Sequence, residues 1–155
     1  METQEAKIHY KVKVSSVPKS RLRGGTTIIK LTGENINEYP GILKNCIDRF
    51  NSEVDWDGMW TVEEAEERLS SNHIAFVLID STDTILSFVW FTENYLYNAF
   101  SHSDRASGDT VKFIKRSCSQ LDSSIKEIKL YCDDWNVKAQ QMFKKVGFER
   151  YTPFI

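Results

Sequence analysis

The sequence predicts a mixed α/β domain: a central, partly antiparallel sheet flanked by helices, with an extra strand at the N-terminus. Three observations carry this. Short runs of β-branched and aromatic residues, some alternating with polar ones, recur as strands. Four stretches carry apolar residues at helical spacing. From Ile125 onward the two patterns follow one another as strand, helix and strand, an order that belongs to sheets with helices packed on them. The 155 residues make about one domain, and a chain of this size buries roughly two thirds of its surface on folding.

Residues 1–25 are set apart by charge. They hold six Lys or Arg against two Glu. Ile8, Tyr10, Val12 and Val14 alternate with His9, Lys11 and Lys13, the period of a half-buried strand. A basic arm of this kind is able to touch nucleic acid. We read it instead as an added edge strand whose lysines face solvent and discourage aggregation. Gly24-Gly25 then punctuates the chain. The expected division is an N-terminal arm or strand over 1–25 and a main domain over 26–155.

Thr26 to Leu31 reads as a second strand. Ile42, Leu43, Cys46, Ile47 and Phe50 set a helix over Asn37 to Phe50, with Pro40 in its first turn. Thr61-Val-Glu-Glu64 has the capping-box pattern and opens a helix that runs to about Ser70. Between these helices lies Asp55-Trp56-Asp57-Gly58-Met59-Trp60, an acidic and aromatic loop. Ile74 to Ile79 and Thr84 to Phe91 are strands joined by the turn Asp80-Ser-Thr-Asp83, and Tyr95 to Ser101 is another. Asp109 to Leu121 is helical, Ile125 to Cys132 extended. The order is β-β-α-α-β-β-β-α-β-α-β.

Composition excludes several classes. Hydrophobic content of 41% and charge content of 27% are those of an ordinary globular protein. The net charge of −2 points to no partner in particular. No apolar run approaches the length of a membrane span, and the first residues lack the apolar core of a signal peptide, so a cytoplasmic protein is expected. Cys46, Cys118 and Cys132 are odd in number and widely spaced, which suits reduced thiols and neither a disulfide framework nor a zinc site; no metal is expected. Cys132 is the thiol best placed for reactivity.

The most informative stretch is Asn136-Val-Lys-Ala139-Gln-Gln-Met-Phe143-Lys-Lys-Val-Gly147-Phe148. Asn136 suits a helix N-cap, Ala139, Phe143 and Val146 share one face, and Gly147 stops the helix. A second block, Arg105-Ala-Ser-Gly108-Asp-Thr110, lies between a strand and a helix. Backbone N–H groups at such a junction make an anion site, aided by the helix dipole, and glycine there lets the backbone approach a phosphate closely. Together these blocks resemble those of the GNAT family, the Gcn5-related N-acetyltransferases, over about residues 26–150.

The resemblance implies a GNAT-like fold and transfer of an acetyl group from acetyl-CoA to a primary amine of unidentified nature. It implies that Arg105, Ala106, Ser107, Gly108, Asp109 and Thr110 hold the pyrophosphate, and that Phe100, Ser101 and Asn136 line the pantetheine arm. Phe143 stands where the family often has a proton-donating tyrosine; it is expected beside the cofactor, although its helix face also suits core filling. Thr110 replaces the usual Gly or Ala, with a side chain able to crowd or bond a phosphate, and Asp109 adds negative charge. Tyr131 or Ser101 would then supply the proton that Phe143 cannot. The general base is sought among Glu93, His102, Asp133 and Asp134, of which the last two also suit the helix dipole. Trp56 and Trp60, flanked by Asp55 and Asp57, are suited to receive a cationic amine.

The family normally ends with two strands after the Gly-Phe step, and this chain has one. Ile8 to Val14 are expected to fill the gap, either in the same chain or from a partner subunit in a homodimer. The alternative function is a degenerate, inactive GNAT-like domain that binds acyl-CoA or a protein partner. Departures at Phe143, Thr110 and Asp109 motivate it.

Overall fold

A computed structural model describes residues 7–18, 21–22, 24–53, 61–82, 84–101 and 107–153. Side chains of residues 40, 50–53, 98–101 and 107–109 are outside the description. The strands are β1 (Lys7–Lys13), β2 (Thr27–Leu31), β3 (His73–Ile79), β4 (Ile85–Thr92), β5 (Tyr95–Ser101), β6 (Glu127–Asp133) and β7 (Glu149–Tyr151). The helices are α1 (Pro40–Glu53), α2 (Val62–Leu69), α3 (Ser107–Ser119) and α4 (Val137–Val146). The element order is the one the sequence predicts.

Helix α1 starts three residues later than expected. Ile36–Glu38 form a separate 3-10 turn, and Tyr39 is not helical (φ −134°, ψ 49°). The cause is Pro40, which suits the first helical position but pushes its predecessor out of the α region. Helix α2 has the full capping box: Thr61 accepts from the Glu64 N–H, and the Glu64 carboxylate accepts from the Thr61 N–H. Gly147 ends α4 at φ 123°, and the Phe148 N–H turns back to the Phe143 carbonyl at 3.0 Å.

One seven-stranded sheet runs β2-β3-β4-β5-β6-β1-β7. The four strands from β2 to β5 are antiparallel neighbours, β5 and β6 are parallel, and β1 is antiparallel to both β6 and β7. The expectation of an edge strand at the N-terminus is thereby corrected. β1 is interior, paired within the same chain along all seven of its residues with β6 and along His9 to Lys11 with β7. Its alternation reflects one buried face, Tyr10 and Val12, and not a free edge. The gap left by a single terminal strand is thus filled from the N-terminus.

The two faces of the sheet are covered unequally. On one face, Phe76, Val89, Leu96, Leu130 and Tyr10 join Phe113 and Ile114 of α3 and Phe143 and Val146 of α4 in a single core. On the other, Leu43 and Ile47 of α1 and Leu69 of α2 cover Ala75, Val77, Phe88 and Trp90 of β3 and β4. Among the described side chains, none of β5, β6, β1 or β7 belongs to that second core. Among the described residues, that half of the second face is left to solvent. No helix among them is long and apolar enough to cross a membrane.

Candidate functional site

β5 and β6 touch at one end and part at the other. They share one pair, Tyr95↔Lys129, beside the Lys129 N–H to Asn94 carbonyl bond of 2.9 Å. Beyond it no further backbone pair joins them, although β5 continues to Ser101 and β6 to Asp133. Two parallel strands that diverge leave main-chain donors and acceptors facing a cleft. The divergence coincides with a bulge. β4 pairs Phe91 with Leu96 and Trp90 with Asn98, so Tyr97 is the extra residue. Bulges re-aim side chains and end pairing, and they gather beside active sites.

The open end of this fork is also where two helices begin. Helix α3 starts at Ser107, so Gly108, Asp109 and Thr110 lie in its first turn, where N–H groups have no partner within the helix. Helix α4 starts just past β6, capped by Asn136, whose Oδ1 accepts from the Ala139 N–H at 3.2 Å. The preceding turn is tied down as well. Gln140 Nε2 donates to the Asp134 carbonyl at 2.9 Å and its Oε1 accepts from the Tyr10 hydroxyl at 3.2 Å. Among the described residues the exposed large hydrophobic side chains are Tyr95, Tyr97, Tyr131, Trp135 and Val137. All five stand on β5, β6 or the junction of β6 with α4. A cluster of exposed apolar groups of this kind marks a binding surface.

Several expected site residues take other places. The Thr110 side chain points inward: it is 1% exposed, and its hydroxyl lies 2.8 Å from that of Ser87 on β4, so it neither crowds nor bonds a phosphate. Phe143 is buried and packs edge-on against Phe148, ring centroids 5.8 Å apart. This is the core filling that its place on the apolar face of α4 suits. Glu93 sits in the β4–β5 turn at φ 55°, at the closed end of the fork. Three residues, Asn94 to Leu96, separate it from the Tyr97 bulge. Asp133 pairs with Lys7 of β1.

His102, Arg105 and Ala106 lie outside the described residues, as do Trp56 and Trp60 with Asp55 and Asp57. Phe100 and Ser101 are described in their backbone, paired with Phe88 and Ser87.

The thiols are poor nucleophiles. Burial pushes Cys46 and Cys118 up to about 12, and burial followed by the Asp133 charge raises Cys132. Among the described residues no group of three or more His, Cys, Asp or Glu could hold a metal ion.

A concavity of about 770 Å³ opens at the other end of the sheet, lined by Glu34, His73, Glu93, Asp122 and Ser124 among others. It lies beside the β4–β5 turn and the start of β6, away from both helix N-termini. Among the described residues, helix N-termini and open strand backbone meet at the fork and not at this concavity.

No family model matches the sequence, and no curated protein does. Solved structures do. An aminoglycoside acetyltransferase from an uncultured soil metagenomic sample is 14% identical, with a TM-score of 0.62 over 87% of this chain and 97% of that one. A GCN5-related N-acetyltransferase from Sphaerobacter thermophilus is 11% identical, with a TM-score of 0.66 over 94% of this chain and 48% of that one. The fold is that of the GNAT acetyltransferases. A spermidine N-acetyltransferase from Vibrio cholerae is also similar, 16% identical with a TM-score of 0.55, over 84% of this chain and 83% of that one. The chain spans about half the length of other solved structures that it resembles, 47% of a Drosophila protein and 57% of one from Staphylococcus epidermidis.

Proposed function

We propose that this domain binds acetyl-CoA in the fork between β5 and β6 and transfers the acetyl group to a primary amine. The observation that carries this reading is the fork itself: one shared pair at Tyr95↔Lys129, then divergence at the Tyr97 bulge. Open strand backbone would accept the pantetheine amides and give N–H groups to the thioester oxygen, stabilising the charge that develops there. The first turn of α3, Ser107 to Thr110, would take the pyrophosphate through its backbone, with Arg105 and Ala106 leading into it. Phe100, Ser101 and Asn136 would line the arm. Holding amine and thioester side by side supplies much of the acceleration. Tyr131, half-exposed on β6 beside the fork, is our choice of proton donor to the leaving sulfur. His102 remains our candidate base for the amine. The place of action would be the cytoplasm, where acetyl-CoA is at hand.

The test is calorimetric titration with acetyl-CoA of the intact chain and of Gly108→Trp. Saturable binding that the variant loses is expected. A second reading, binding without turnover, is favoured by the burial of Phe143 in the core. It predicts binding with no CoA release in the presence of any amine. Absence of binding to the unaltered chain would sink both readings.

A further inference from the structure

A row of side chains crosses the uncovered face beside the fork. His9 of β1 stands opposite Tyr131 of β6 and opposite Tyr151 of β7. Its imidazole lies against both phenol rings, centroids 5.7 Å from Tyr131 and 6.0 Å from Tyr151. The His9 Nδ1 is buried without a hydrogen-bond partner among the described residues. Buried polar atoms are nearly always partnered, and an exception calls for a reason. The next residue but one toward the start of β1, Lys7, holds its ammonium 5.9 Å from the centre of the Tyr131 ring while pairing with Asp133. Thus β1 brings an imidazole and a cation to one phenol, and that phenol borders the fork.

We infer that β1 is part of the reaction machinery: His9 is a positioning residue that holds the Tyr131 phenol toward the fork and restores its proton. The inference rests on the reading of the fork as an acetyl-CoA site. The amine nitrogen bonds to the thioester carbonyl carbon and loses a proton to the general base that serves it, which passes the proton to water. The carbon–sulfur bond breaks, and the sulfur leaves with the phenol proton of Tyr131 as the CoA thiol. The tyrosinate then takes a proton from His9, which recovers one from water. The Lys7 ammonium stabilises the tyrosinate while it exists, as a cation near an anion must. Among the described residues nothing else stands in the place of His9 in this row. Its other charged or titratable neighbours are Lys129 and Asp133 on β6, Tyr151 and Glu149 on β7, and Lys11 on its own strand.

The experiment uses the full chain, acetyl-CoA, and hydroxylamine as a small nucleophile that an open cleft admits. Release of CoA thiol is followed across pH for the unaltered chain, His9→Phe, Tyr131→Phe and the double variant. Calorimetry measures acetyl-CoA affinity in each, and thermal melting checks the fold. His9→Phe keeps a ring between Tyr131 and Tyr151 but carries no proton; His9→Gln serves if the phenylalanine disturbs folding. The expected result is a kcat about a hundredfold lower in Tyr131→Phe, with KM for acetyl-CoA unchanged. His9→Phe should lower kcat and change the shape of its pH profile, and the double variant should be no slower than Tyr131→Phe. An unaltered kcat and pH profile in His9→Phe would overturn the inference, as would losses that multiply in the double variant. Binding of acetyl-CoA by the unaltered chain without any thiol release would also overturn it, leaving the binding site standing. Failure to bind acetyl-CoA would strike the underlying reading first and this one with it.

Discussion

The hydroxyls of Ser87 and Thr110 lie 2.8 Å apart in the interior, where Ser87 is 0% and Thr110 1% exposed. This bond fastens the first turn of α3 to the interior strand β4 and so ties the helix N-terminus to the core. A Thr110→Val variant keeps the shape and strands the Ser87 hydroxyl. The expected cost is about 1–3 kcal/mol of stability, read by denaturant unfolding. The double variant Ser87→Ala/Thr110→Val should cost less than the two single changes added. A simple sum would show that the hydroxyls do not depend on one another.

Removal of β1 should be far more damaging than loss of a decorative arm. Its Tyr10 and Val12 are buried, and without it β6 and β7 lose their shared partner. A chain lacking residues 1–13 is expected to be insoluble or to lack a cooperative melt. A truncated chain that melts at the original temperature would refute this.

Gly33 is held by close approach. A Cβ there would stand 2.9 Å from the Leu69 carbonyl oxygen and 2.9 Å from the Ser70 Cα, both backbone atoms at the end of α2. Neither can swing aside, so Gly33→Ala should destabilise by about 1–3 kcal/mol, the range of an overpacked contact. Gly41→Ala is the control, because nothing lies within 4 Å of its added Cβ. Equal stability of the two variants would contradict the argument.

His73 gives the fold a pH dependence of predictable sign. Its Nδ1 accepts the Trp90 indole N–H at 2.7 Å. Burial, then the Arg68 charge, holds the imidazole below its ordinary value of 6.5. The unfolded chain therefore binds that proton more tightly. Stability due to neutral His73 is present above the ordinary value and is lost as pH falls through the lower folded one. Melting temperature should drop between about pH 7.5 and about pH 5, and the drop should shrink in His73→Gln. Parallel curves for the two proteins would refute the assignment.

Thiol accessibility makes a further check. With Cys46 and Cys118 buried and pushed to about 12, a thiolate-directed reagent should modify Cys132 alone in the native protein, and slowly. All three should react after denaturation. Rapid modification of more than one thiol in the native state would argue against this burial.

The local signals of the sequence were easily read and the distant ones were not. The capping box at Thr61, the cap at Asn136 and the stop at Gly147 are decided within a few residues, and each forms as its residues indicate. Helical spacing also places Phe143 in the core, where it is found. The interior place of β1 was hidden, because an alternating strand has the same pattern wherever it pairs. The inward turn of Thr110 was hidden too: a motif gives the position of a first-turn residue but not the partner, Ser87, that draws it inside. His73 gave no signal beyond a histidine at the head of an apolar run, since its role depends on the Trp90 indole one strand away.

The interior position of β1 has a consequence for how the protein is born. Lys7 and its partner Asp133 are 126 positions apart, so translation delivers β1 long before either of its neighbours. Until they emerge, an apolar strand waits with its hydrogen-bonding edges bare, and the lysines at 7, 11 and 13 are what keep it from pairing with strangers meanwhile. That part of the sheet closes only after β6 and β7 have been made, and pairing at such sequence separation is slow compared with the hairpins of β3, β4 and β5.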